Sequence, residues 1–268
     1  MDINTILLIG AGKMGGAMLA GWLKTGLRPE QIMVLDPVPG SELAALGLPL
    51  NPSHAEILTA KPEVVVLAVK PQMAAEVLAD LREVLPADAL AMSIMAGLSV
   101  ERLAQLTGLP AVVRTMPNTP ASLGAGASVL IASEAVSAAQ KRLAEALMSA
   151  VGTTAWIDDE GLMDAVTAIS GSGPAYVFHF VEALAKAGQA LGLEADLAMK
   201  LARQTVAGAG RMLGELDSPA DVLREDVTSP NGTTQAALEV LMQPEALTRL
   251  LEKTAAAAAR RSQELSKE

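Results

Sequence analysis

The chain has 268 residues, of which 51% are hydrophobic, and a formal net charge of −10 at pH 7. It contains no cysteine, which excludes disulfides, thiol nucleophiles and thiolate metal sites; His54 and His179 stand far apart, so no metal is expected. The acidic balance, without a basic run, argues against nucleic acid and anionic membranes as partners.

Residues 6–9, 32–35, 64–69, 89–94, 111–114 and 128–132 are short apolar runs that read as buried strands. Residues 14–25, 72–85, 100–106 and 137–150 lie between or after them and read as helices, and 153–157 reads as a last strand. Val- and Ile-rich runs bounded by Gly or Pro and alternating with helices indicate βαβ units, hence a mostly parallel sheet covered on both faces. After about Asp159 the strand signal stops, and from Pro174 onward the pattern is helical. The segment 175–191 is apolar nearly all round its helical wheel, although it carries Glu182 and Lys186. Such a helix must be buried on every side. Roughly a hundred residues cannot surround it within one small bundle, so at least a dimer is expected. No leader or membrane span is evident, and a soluble cytoplasmic chain is the expectation. The aromatic residues are Trp22, Trp156, Tyr176, Phe178 and Phe180 alone, so the core is to be built from Ala, Leu, Val, Ile and Met.

Gly10-Ala11-Gly12-Lys13-Met14-Gly15 leaves the first strand and opens a helix. The first glycine permits the tight turn, the second lets backbone approach a pyrophosphate, and the third allows helix to pack closely on strand. The helix N-terminus then offers free N–H groups to the phosphates. Asp36 follows about 20 residues on, as the dinucleotide fingerprint requires. A carboxylate there accepts hydrogen bonds from ribose hydroxyls and repels a 2′-phosphate, and no Arg or Lys occurs in Pro37-Val38-Pro39-Gly40-Ser41. NADH is favoured on this ground; the alternative is that Asp36 only starts a turn with Pro37.

Further segments sit where ligands bind in an open α/β sheet, at the carboxyl ends of strands. Ala68-Val69-Lys70-Pro71 turns into a helix, Ala96-Gly97 leaves the next strand with little side chain, and Asn118 stands between Pro117 and Pro120 after Arg114. In the helical part, Ser170-Gly171-Ser172-Gly173-Pro174 and Ser229-Pro230-Asn231-Gly232-Thr233-Thr234 each lead into a helix, and each could receive a carboxylate. Ordinary capping, with Ser229 or Asn231 as N-cap, is the plainer reading of the latter.

The ordered set GAGKMG, AVKPQ, RTMPNTPA, SGSGPAY and DVTSPNGTT spans residues 10–234 and resembles the pyrroline-5-carboxylate reductase family. The resemblance implies an N-terminal Rossmann-type dinucleotide domain, here 1–159, and a C-terminal all-helical dimerisation and substrate-binding domain, here 160–268. It implies NAD(P)H-dependent reduction of L-1-pyrroline-5-carboxylate to L-proline, the last step of proline biosynthesis, by a homodimer or a ring of dimers. Carried over by position, Gly10, Ala11, Gly12, Lys13, Met14, Gly15, Ala68, Val69, Lys70 and Pro71 hold the cofactor, with Asn118 near the nicotinamide. Ser229, Gly232 and Thr233 hold the substrate carboxylate, and Thr234 hydrogen-bonds the ring nitrogen as the one catalytic candidate. Asn231 departs from the glycine usual in the family, yet asparagine tolerates left-handed backbone. At Asp36 many relatives carry neutral residues and use NADPH.

The sequence offers no compelling proton donor. His179 reads as a buried, hydrogen-bonded core residue, and His54 as a helix start or a neighbour of the adenosine. Three rivals stand beside this reading, one of them an imine reductase acting on another cyclic imine. A β-hydroxyacid dehydrogenase would need a lysine on the helix after the glycine-rich segment, and Lys186 comes about four turns too late. A regulatory dinucleotide sensor would not need the 229–234 segment.

Overall fold

Val-, Ile- and Leu-rich runs form the strands of a 7-stranded sheet in the computed structural model, which describes residues 3–244 and 246–265. The order along the chain is β1 (Ile6–Ile9), α1 (Lys13–Lys24), β2 (Ile32–Leu35), α2 (Ser41–Ala44), α3 (His54–Ala60), β3 (Val64–Leu67) and α4 (Ala74–Leu81). It continues with β4 (Leu90–Ser93), α5 (Val100–Thr107), β5 (Val112–Met116), β6 (Gly126–Ala132), α6 (Ala138–Ser149) and β7 (Gly152–Trp156). Short α7 (Met163–Val166) runs into a π-helical turn, Thr167–Gly171. The rest is helical: α8 (Gly173–Ala190), α9 (Ala195–Glu215), α10 (Ala220–Asp226), α11 (Thr233–Leu241) and α12 (Leu247–Leu265).

The strands lie in the order β2-β1-β3-β4-β5-β6-β7. All neighbours are parallel except β5 and β6. A parallel pair needs a crossover of about a dozen residues or more, usually a helix. Between β5 and β6 lies only the 3₁₀ turn Thr119–Leu123, so the chain doubles back antiparallel.

Alternation along each strand splits the core in two. Ile6, Leu8, Val64, Val66, Leu90 and Met92 face one layer with Trp22, whereas Leu7, Ile9, Val65, Leu67 and Ala91 face the other with Leu78 and Leu103. Trp22 is fully buried, and its indole N–H donates to the Leu147 carbonyl at 2.9 Å, joining α1 to α6 on one face.

One strand-like element escaped the sequence pattern. Leu50 forms a lone parallel bridge to Val34 of β2, through Val34 N–H to Pro49 O (2.9 Å) and Asn51 N–H to Val34 O (2.7 Å). Counted as a rudimentary strand, it precedes β2 and β1 in the sheet and completes the doubly wound nucleotide-binding order. Pro49 has no N–H to extend the ladder, which keeps this strand to a single rung. At the following helix, Ser53 and Glu56 form a capping box, with His54 as the first residue of α3. The Ser53 hydroxyl and then its backbone N–H hold the Glu56 carboxyl below its ordinary range. Stability contributed by this box is present at neutral pH and is lost as pH falls through that lowered value.

The chain separates into two compact units: the first runs to Gly171 and takes up the chain again from Ala258, and the second is Ser172–Ala257. In the first, the Ser262 hydroxyl donates to Asp164 Oδ1 at 2.6 Å. In the second, α8 and α9 pack through small residues: Ala185, Ala198 and Ala202 are buried, and a β-carbon on Gly188 would lie 3.2 Å from that of Ala198. Much of the rest of α8 is open, with Val177, Phe178, Phe180 and Leu184 exposed. His179 corrects an expectation: it is not buried in a core, its side chain being 78% exposed, and Nδ1 lies 3.2 Å from Glu182 Oε2. The wheel of α8 was apolar enough to suggest burial all round, but a single chain covers only one side of it.

Candidate functional site

The glycine turn sits at the carboxyl end of β1. Gly10 has φ +91°, and a β-carbon there would lie 2.7 Å from the Ala68 carbonyl oxygen at the end of β3. At Gly15 a β-carbon would lie 2.2 Å from Gly10 O and 3.2 Å from Ala68 Cβ, so this glycine is what lets α1 close on the strands. Gly12 differs: nothing in the chain lies within 4 Å of where its β-carbon would stand. Gly12 is also the N-cap of α1, with no side-chain hydrogen bond to the cap, and Lys13, Met14 and Gly15 form the first turn. Free N–H groups over an unobstructed glycine are the cradle a pyrophosphate needs. The residues present therefore fit a dinucleotide.

Asp36 follows β2 directly, with both carboxylate oxygens engaged. Oδ2 accepts from the Ala11 N–H at 2.8 Å and Oδ1 from the Val38 N–H at 2.9 Å, while the Asp36 N–H donates to Asn51 Oδ1 at 2.9 Å. The carboxylate thus starts a turn, as one reading of the sequence had it, and also clasps the glycine loop. Each oxygen has a second lone pair that can still accept from a ribose hydroxyl. Asn51, in left-handed backbone at φ +49°, was not anticipated; the Asn-Pro pair that marks a turn was its only signal. Nearby, the Ala68 N–H donates to Ile9 O at 2.8 Å, Val69 packs at Gly10, and Lys70 precedes a 3₁₀ turn with Pro71 at its first position.

Asn118 follows β5 with both ends of its amide engaged. Oδ1 accepts from the Ala127 N–H at 2.8 Å, and Nδ2 donates to the Ser170 carbonyl at 3.2 Å. Arg114, four residues earlier and only 11% exposed, donates from Nη1 to Glu160 Oε1 at 2.6 Å; the same oxygen accepts the Val100 N–H at 2.9 Å, at the start of α5. Glu160 carries no motif and lies 46 residues from its partner, so the sequence did not flag it. Because Glu160 is part-exposed, Glu160→Gln is expected to lower stability by about 1–2 kcal/mol, read as a lower urea midpoint with an unchanged slope.

Ser229, Gly232, Thr233 and Thr234 form one turn in the second unit, at the start of α11. Gly232, not Ser229 or Asn231, is the N-cap, and no side chain caps the helix. The Gly232 N–H donates to Ser229 O at 3.0 Å, and a β-carbon on Gly232 would lie 2.9 Å from that oxygen. Asn231 adopts φ +57°, the left-handed backbone that a glycine would supply, and its N–H donates to Gln235 Oε1 at 2.8 Å. The turn therefore survives the Asn, and its helix start remains free to meet an anion. Among the described residues no three His, Cys, Asp or Glu side chains group as a metal site, and no helix is long and apolar enough to cross a membrane.

A doubly wound sheet with an uncapped glycine turn at its first strand end, followed by an all-helical unit, defines a dinucleotide-binding protein of the Rossmann type. Residues 5–97 match the family model described as NADP oxidoreductase coenzyme F420-dependent, and residues 160–265 match that described as pyrroline-5-carboxylate reductase dimerisation. The chain is 43% identical to pyrroline-5-carboxylate reductase of Pseudomonas aeruginosa, over 100% of this chain and 99% of the relative. It superposes on a pyrroline-5-carboxylate reductase from Coxiella burnetii with a TM-score of 0.92, at 37% identity and with 100% of each chain covered. The Plasmodium falciparum pyrroline carboxylate reductase, solved with NADP bound, gives 0.80 at 29% identity, covering 99% of this chain and 98% of that one. The chain belongs to the pyrroline-5-carboxylate reductase family.

Proposed function

We propose that the chain reduces L-1-pyrroline-5-carboxylate to L-proline with a nicotinamide dinucleotide, the last step of proline biosynthesis. The observation that carries this reading is the full-length relation to the Pseudomonas aeruginosa reductase at 43% identity. NAD(P)H supplies the hydride that reduces C5 of the imine. Gly10, Ala11, Gly12, Lys13, Met14 and Gly15 bind its pyrophosphate, Ala68, Val69, Lys70 and Pro71 line the path toward the nicotinamide, and Asn118 stands near that ring. Ser229, Gly232 and Thr233 hold the substrate carboxylate at the uncapped start of α11. The Thr234 hydroxyl hydrogen-bonds the ring nitrogen, which is an iminium before reduction and a secondary amine after it. No acid side chain need act, because holding donor and acceptor in line can itself supply about 7–11 kcal/mol.

The functional division we adopt is 1–159 for the cofactor and 160–268 for substrate and dimerisation. The active form is a homodimer or a ring of dimers in the cytoplasm; the open apolar flank of α8 supports self-association. Asp36 favours NADH, since its charge opposes a 2′-phosphate and residues 37–41 carry no cation. Oxidation of NADH and NADPH, followed at the nicotinamide absorbance band with the imine as substrate, tests both points. Turnover with a lower KM for NADH is expected. Preference for NADPH would overturn the role given to Asp36 but keep the reaction. Dinucleotide binding without turnover would overturn the reaction.

A further inference from the structure

The Asn118 amide is the meeting point of three segments that are distant in sequence. The residue follows the end of β5, its oxygen holds the N–H of Ala127 in β6, and its nitrogen holds the carbonyl of Ser170. The Ala127 N–H fixes which end of the amide is oxygen, so the nitrogen must face Ser170. Ser170 belongs to the π-turn Thr167–Gly171, and its hydroxyl lies 3.5 Å from both Asn118 Nδ2 and Ala127 O. One residue further, a β-carbon on Gly171 would lie 2.7 Å from Met116 Cε, so the end of β5 meets this turn twice. A π-turn is rare, is concentrated at functional sites, and persists where its surroundings over-determine it. Both ends of the amide are thus held by the protein, the oxygen by the Ala127 N–H and the nitrogen by the Ser170 carbonyl.

We propose that Asn118 is a positioning residue for imine reduction: its amide pins the π-turn, and with it the Ser170 hydroxyl, at the carboxyl edge of the sheet. The inference rests on the reading of the chain as an imine reductase. It goes beyond that reading by assigning Asn118 to the turn and by making Ser170 the side chain through which it acts.

Asn118→Asp keeps the oxygen that accepts from Ala127 and puts a second oxygen against the Ser170 carbonyl. Ionised, that oxygen repels the carbonyl; protonated, it donates and restores the bond. The Ser170 carbonyl opposes ionisation of the introduced carboxyl, and the Ala127 N–H on its other oxygen favours it. At about pH 8, Asn118→Asp and Asn118→Ala are both expected to lose on the order of 10–100-fold in kcat, with dinucleotide Kd within about twofold of the parent. As pH is lowered through the value at which the introduced carboxyl takes up its proton, the ratio of N118D to parent kcat rises, whereas that of N118A stays flat. Amide hydrogen exchange over 167–171, measured without substrate and corrected for its intrinsic pH dependence, follows the same course. A flat N118D ratio, exchange indifferent to the substitution, or a loss confined to dinucleotide Kd would each overturn the proposal. A parent enzyme that binds dinucleotide but leaves the imine unreduced would overturn the reductase reading itself, and the positioning role with it.

Discussion

Thr234→Ala is expected to lower kcat/KM for the imine by about 10–100-fold, because a hydrogen bond to the charged iminium nitrogen is worth about 1.5–3 kcal/mol and each 1.4 kcal/mol is tenfold. The local structure isolates this effect. Thr234 is the second residue of α11, and the N-cap ahead of it is Gly232, so the substitution removes no capping bond. Alanine has the better helix propensity, and the turn keeps its Ser229, Asn231 and Gln235 hydrogen bonds. Folding and dinucleotide affinity should therefore stay at the parent level while turnover falls, and Thr234→Ser should recover most of it. Steady-state kinetics with the imine varied at saturating cofactor gives the answer. An unchanged kcat/KM in the alanine variant would remove Thr234 from the reaction.

A second large effect separates two glycines only three residues apart. In Gly15→Ala the new methyl would stand 2.2 Å from the Gly10 carbonyl oxygen, a backbone atom with no freedom to turn aside. Helix α1 must shift from β1, at a cost of about 1–3 kcal/mol in stability, and dinucleotide affinity should fall by about tenfold or more. In Gly12→Ala the methyl meets nothing within 4 Å, and φ is already −64°. That variant should unfold at the parent midpoint yet bind dinucleotide weakly, because the methyl occupies the space a pyrophosphate would enter. Denaturant titration paired with fluorescence titration of NADH distinguishes the two. Parent-like NADH affinity in Gly12→Ala would place the phosphates elsewhere.

Much of the first unit was legible because its strands are buried on both faces, so that each reads as an unbroken apolar run such as Leu7-Leu8-Ile9 or Val64-Val65-Val66. Direction was legible less directly: the short stretch between Met116 and Gly126 leaves no room for a crossover helix and so turns β6 antiparallel. The single rung at Leu50 was hidden, since Pro49 breaks the pattern by which a strand is recognised. Motif reading found the glycine turn and the Ser229 turn but not the long-range bonds within the first unit. The bonds from Asp36 to Ala11, from Asn118 to Ser170 and from Arg114 to Glu160 join residues 25, 52 and 46 positions apart, and no local pattern encodes such pairs. His179 failed for another reason: hydropathy reports that a face must be covered, but not by which chain.

In the proposed dimer, the exposed apolar side chains of α8 make concentration a variable of folding. Phe178 is 64% exposed and Phe180 44% exposed, and in the proposed dimer that apolar surface leaves water only when a second chain arrives. The law of mass action then applies to the native state itself: dilution acts as a denaturant, and a melting midpoint has meaning only beside the protomer concentration at which it was measured.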